Sequence, residues 1–197
     1  MSNRIVGHFR DSAELKIQAA SALAQPISQA VELIFMALSN GNKILACGNG
    51  TAAAHAQYFA AALVDRFERE RLPMPALALG ADAVVLSSIG NGAGVSEIYS
   101  KQVQAFGQPG DVLLVITGGG DIAGLSAAVD TALEREMRVV ALTGKEGSAI
   151  GKQISDADVH INVPHERAAR VLEVHLLTIH CLCDGIDVAL FGGDTDD

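Results

Sequence analysis

A chain of 197 residues with 49% apolar and 19% charged side chains is long enough to bury one substantial core and too apolar for disorder. Its net charge of −9, with no basic run, excludes a strong direct nucleic-acid binder, because phosphate neutralisation supplies most of that affinity. With no tryptophan and two tyrosines there is little surface for stacking bases, so a role near nucleic acid would run through another protein.

In chain order, the first forty-two residues read as a helical hairpin. Ile5, Phe9, Leu15 and Leu23 lie along a first helix, and Pro26 is placed to open a second one carrying Ile27, Val31, Ile34 and Leu38. Short apolar runs then alternate with helices. KILAC (Lys43 to Cys47) is a strand, followed by a helix from Ala52 to Arg69. PALAL (Pro75 to Leu79) is a second strand, and a helical stretch covers Val95 to Phe106. DVLLVI (Asp111 to Ile116) is a third strand, and Ile122, Leu125, Val129 and Leu133 mark the next helix. RVVALT (Arg138 to Thr143) and DVHINV (Asp158 to Val163) complete five strands. A last helix covers Arg167 to Leu190. Apolar strands separated by helices predict an α/β fold, a parallel sheet covered on both faces.

The last helix is apolar around most of its circumference, which predicts burial against another subunit. Glu173, Asp184 and Asp187 interrupt it, so it is not expected to span a bilayer. MSNRIVGHFRDSAELK lacks the apolar core of a signal peptide. Cys47, Cys181 and Cys183 form no metal or disulfide pattern and read as buried thiols of a cytoplasmic protein. DRFERER (Asp65 to Arg71) reads as a solvated helix end, His8, His55, His160 and His165 as surface residues, and the tail Gly192 to Asp197 as a solvated acidic segment.

Two glycine-rich loops sit at strand ends, where parallel sheets bind ligands. GNGTAA (Gly48 to Ala53) fits G-x-G-x-x-A loosely. The second strand starts too late for a dinucleotide site, and the loop TGGGD (Thr117 to Asp121) lacks the lysine of a phosphate-binding P-loop. Asp121 is placed to cap the following helix and take its positive end. A phosphate about 5 Å away would meet roughly 3 kcal/mol of repulsion per unit charge at an effective dielectric near 20. The loop thus looks built to be stable without phosphate, whereas Gly48, Asn49, Gly50 and Thr51 remain free to hold a small anion or a sugar hydroxyl.

KILACGNGTAAAHAQYFAAALVDRFERER, GDVLLVITGGGDIAGLSAA, VVALTGKEG and RVLEVHLLTIHCLCD, in this order, resemble the sugar isomerase (SIS) domain family, over nearly the whole chain. The likeness is to two bacterial groups within it, the phosphoheptose isomerases and the DnaA initiator-associating (DiaA-like) proteins. It implies a three-layer flavodoxin-like fold with the SIS domain over 43–191, and a homotetramer. Phosphoheptose isomerases hold a metal and move a proton with a His and, four residues on, a Glu, completed by a Gln and a His on the last helix. Here the matching positions are Tyr58, Ala62, Leu172 and His180. One imidazole is short of the roughly three protein ligands of a catalytic zinc, and His175, five residues before His180, points about 140° away.

The serine- and threonine-rich isomerase loop is here Thr117, Gly118, Gly119, Gly120 and Asp121, and Ala52 and Gly92 replace a serine and an acid; Ser87 matches. The resemblance therefore implies a non-catalytic DiaA-like protein, with no cofactor and no metal, that binds DnaA and promotes its assembly in replication initiation. Leu190 and Phe191 match the partner-binding pair. Gly48–Thr51, Ser87, Thr117–Asp121 and His180 form a vestigial carbohydrate-derivative cleft. The alternatives are a phosphoheptose isomerase acting on sedoheptulose phosphate, and a sugar-phosphate sensor.

Overall fold

The computed structural model describes residues 1–145 and 148–192. Five strands form one parallel sheet, β1 (Ile44–Gly48), β2 (Ala76–Ala78), β3 (Val112–Ile116), β4 (Arg138–Gly144) and β5 (Val159–Val163), in the order β2-β1-β3-β4-β5. β1 and β3 are buried at every position, as continuous apolar runs covered on both faces require. Side-chain alternation divides the core. Ile44, Ala46, Leu114, Ile116 and Leu142 face α1 (Ser2–Ser39), α2 (Ala52–Val64) and α7 (Ala168–Phe191). Leu45, Cys47, Leu113, Val115 and Ala141 face α4 (Ile98–Phe106), α5 (Ala123–Glu134) and α6 (Ser148–Gln153). The three layers are those expected. The helical stretch expected over Val95 to Phe106 is a 3₁₀ turn (Val95–Glu97) followed by α4, and a further helix, α3 (Ala83–Gly92), precedes them unexpectedly.

The N-terminal hairpin is not formed. Residues 2–39 are one helix with Pro26 inside it. Leu15, Ala19, Leu23, Ala30, Ile34 and Ala37 keep a single buried stripe in phase through the proline, so packing outweighs the roughly 3 kcal/mol that an interior proline costs. α1 runs closely along α7: a Cβ on Gly185 would lie 2.7 Å from Val31 Cγ2. Both helices are long and apolar enough by composition to cross a bilayer, and both pack on the sheet.

Buried polar groups fix the ends of elements. Asp111, 1% exposed, accepts from Lys43 N, Gln108 N and Lys43 Nζ at 2.9, 2.9 and 2.5 Å, tying the starts of β1 and β3. DRFERER is not a solvated helix end. α2 stops at Val64, and Arg71 is buried, donating to Ala62 O, Leu63 O and Asp187 Oδ1 at 2.6, 2.8 and 2.7 Å. Cys47 and Cys183 are buried as expected, but Cys181 is exposed. Of the acidic tail, all beyond Gly192 lies outside the described residues.

His175, wholly buried on α7, shares a 3.1 Å hydrogen bond with Thr143 O at the end of β4. Burial lowers its pKa to about 4, with the charge of His55 lowering it further and the Thr143 carbonyl opposing. The unfolded imidazole takes up a proton below about pH 6.5, while the folded one resists until about 4. Stability is therefore full above pH 6.5 and falls as pH drops through that window, by on the order of 3 kcal/mol. Urea unfolding at pH 7.5 and 4.5 should show this loss, and His175→Gln should flatten it.

Candidate functional site: the cleft between two glycine loops

The chain crosses from β1 to β2 on one side and β3 on the other, so the carboxyl ends of β1 and β3 form a topological switch point. Both glycine-rich loops lie there, and Asn49 joins them. Its Nδ2 donates to Gly119 O at 3.2 Å and to Asp121 O at 2.8 Å. From α4, Tyr99 donates its hydroxyl to Gly48 O at 2.6 Å, and burial raises the phenol pKa, helped by Cys47. The loops enclose a cleft of about 270 Å³ with Asn49, Gly50 and Asp121 in its lining, together with Leu86, Ser96 and Tyr99.

Much of the second loop's polar capacity is spent internally. Thr117 is fully buried, and its Oγ1 accepts from Gly119 N at 3.1 Å and bonds Gly119 O at 3.3 Å. Asp121 Oδ1 accepts from Ala123 N at 2.9 Å, satisfying the first amide of α5 from one residue ahead of its N-cap, Ile122. Gly119 and Gly120 have φ of 120° and 86°, which only glycine adopts readily. Gly118 is glycine for another reason: a Cβ there would lie 3.2 Å from Leu172 Cγ.

The other predicted residues divide. Ser87 is exposed on α3, and its neighbour Leu86 lines the cleft instead; Thr51 is exposed ahead of α2. His180 is not in that lining. It lies on the α2–α7 side, with ring centroids 5.6 Å from Tyr58 and 5.5 Å from Phe67. Leu190 is half-buried against the core and Phe191 is 52% exposed. Ala62 is buried. Among the described residues no group of three or more His, Cys, Asp or Glu side chains is placed to hold a metal.

Sequence reasoning missed Ser96 and Tyr99, which lie outside both glycine motifs. It also placed four histidines on the surface, His8, His55, His160 and His165, all of which are half-buried. His160 is half-buried, 2.7 Å from Thr143 Oγ1, and His55 is half-buried with a buried Nδ1 that has no partner.

Asn49 carries the link between the loops. Asn49→Ala strands two carbonyls and should cost about 1–2 kcal/mol, a fall of roughly 2–6 °C in Tm. Asn49→Asp, which sets a carboxylate against those carbonyls, should cost more; thermal melts of both variants check the order.

The SIS domain profile matches residues 8–144. A phosphoheptose isomerase of Methylibium petroleiphilum is 53% identical over 192 residues, covering 98% of this chain and 96% of the relative. One from Aromatoleum aromaticum is 54% identical over 190 residues, covering 96% of each. Among solved structures, phosphoheptose isomerase GmhA from Neisseria gonorrhoeae is 45% identical with a TM-score of 0.89, covering 94% of this chain and 98% of that one. A Francisella tularensis phosphoheptose isomerase is 42% identical with a TM-score of 0.90, covering 94% and 97%. These relatives overturn the expectation of a non-catalytic DnaA-binding protein: at about half identity over whole chains, they carry the isomerase name. The substitutions at Tyr58, Ala62, Leu172, Ala52 and Gly92 and in one loop stand against a whole chain that stays with the isomerases. With profile, relatives and three-layer fold in agreement, the chain belongs to the SIS domain family.

Proposed function

We propose that this chain acts on a heptose phosphate in the cleft between its two glycine loops, as a phosphoheptose isomerase. The observation that carries this reading is the 53% identity, across 98% of the chain, to a relative of that name. The cleft supports it with groups suited to sugar hydroxyls, the Asn49 amide, the Ser96 hydroxyl and the Tyr99 phenol. Aldose–ketose isomerisation moves a proton between adjacent carbons through an enediol and needs one group to carry it. Within the cleft lining, Asp121 and Tyr99 are the side chains able to carry a proton; His180, the one imidazole kept from the isomerase set, stands outside that lining on the α2–α7 side.

A second reading, a sugar-phosphate sensor, is favoured by one observation: the position matching the isomerase Glu is the buried Ala62. Calorimetry and a coupled assay with sedoheptulose phosphate separate the two. Binding with turnover supports the isomerase. Binding without turnover favours the sensor, and no binding removes both.

Assembly of several copies, a homotetramer by family likeness, belongs to the same proposal. Ile5, Val6, Phe9 and Ile17 of α1 and Leu177 of α7 are exposed, and an apolar furrow lined by Leu23, Ile27, Val174 and Leu177 runs between those helices. Apolar surface of this kind marks contact sites. Light scattering after gel filtration should give the mass of four chains, and Phe9→Asp with Ile17→Asp should lower it.

A further inference from the structure

We infer that this chain has lost the metal centre its resemblance to phosphoheptose isomerases implies, its ligand positions now holding too few donors, with Tyr58 packed on His180. A catalytic zinc needs about three protein ligands. Of the four matching positions, two carry no donor, Ala62 and Leu172, and a third carries a phenol, Tyr58. The fourth, His180, has aromatic rings against it from two directions, Tyr58 at 62° and Phe67 at 32° to its plane.

At Leu172 the replaced position is taken up by packing. Leu172 presses on Gly118, where a Cβ would stand 3.2 Å from its Cγ and 3.4 Å from its Cδ2. The missing Gln of the last helix and the missing hydroxyl side chain of the loop are thus one change: leucine fits at 172 because residue 118 has no side chain. Ala62 is likewise committed, its carbonyl accepting from buried Arg71.

The inference concerns metal content and does not rest on turnover, so its failure and that of the proposed activity are read separately. Untagged protein is incubated with zinc chloride, desalted and measured by elemental analysis, with thermal melts in parallel. The expected result is far below one zinc per chain and an unchanged Tm. About one zinc per chain, lost in His180→Ala, would overturn the inference. In the other direction, Tyr58→His with Ala62→Glu and Leu172→Gln restores the donors beside His180. This variant should take up about one zinc per chain and melt higher with it. If it folds and takes none, these are not metal positions and the inference fails; if it does not fold, the wild-type and His180→Ala measurements decide. Gly118→Ser should lower Tm alone and less so together with Leu172→Gln, whereas equal effects in both backgrounds would break the proposed interlock.

Discussion

The buried pair of Arg71 and Asp187 sets the geometry on which the α2–α7 side of the molecule depends. Their side chains are 1% and 4% exposed, and the guanidinium also serves the last carbonyls of α2, at Ala62 and Leu63. The last turn of α2 contains no basic residue, so its exposed dipole end is satisfied from outside the helix. One cation thereby caps α2 and fastens it to α7. Removing either partner would leave a buried charge, typically a loss of 3–5 kcal/mol. The pair is felt nearby: burial first, then Asp187, pushes the Cys183 thiol up to about 12, with Arg71 opposing. With α2 held at this angle, Tyr58 and Phe67 meet His180.

The sheet was legible because its strands are buried on both faces. Such runs need no partner to be read, and all five fall within a residue or two of the expected bounds. The errors share a different cause: a local signal was taken without the packing that overrides it. Pro26 carries a helix-start signal, yet the stripe from Leu15 to Ala37 stays in phase across it and favours one helix. The charges of Asp65 to Arg71 carry a solvent signal, yet Arg71 turns inward because Asp187, 116 residues later, awaits it. No pattern within the segment announces that pairing.

The site was legible in part for the same reason. Glycines at strand ends mark the switch point, and Asp121 was identifiable as a cap from its place before an amphipathic run. Tyr99 was not, since its role is to reach from a neighbouring helix to the Gly48 carbonyl, a contact made by topology. The functional reading failed on weighting. Replaced residues at a site speak about chemistry, while agreement along an entire chain speaks about descent. Here the two point different ways, and the second rests on many more positions.

What the second glycine loop can still do follows from its own hydrogen bonds. Phosphate is held by backbone N–H groups that have nothing else to bond. In this loop Gly119 N is taken by Thr117 and Ala123 N by Asp121, while Asn49 ties down the carbonyls of Gly119 and Asp121. An incoming phosphate would find those two amides taken and would approach the Asp121 carboxylate, at a cost of a few kcal/mol from repulsion alone. Hydroxyls carry no such charge and can bond Asn49, Ser96 and Tyr99 without disturbing the loop. The second loop is thus better matched to neutral hydroxyls than to a phosphate.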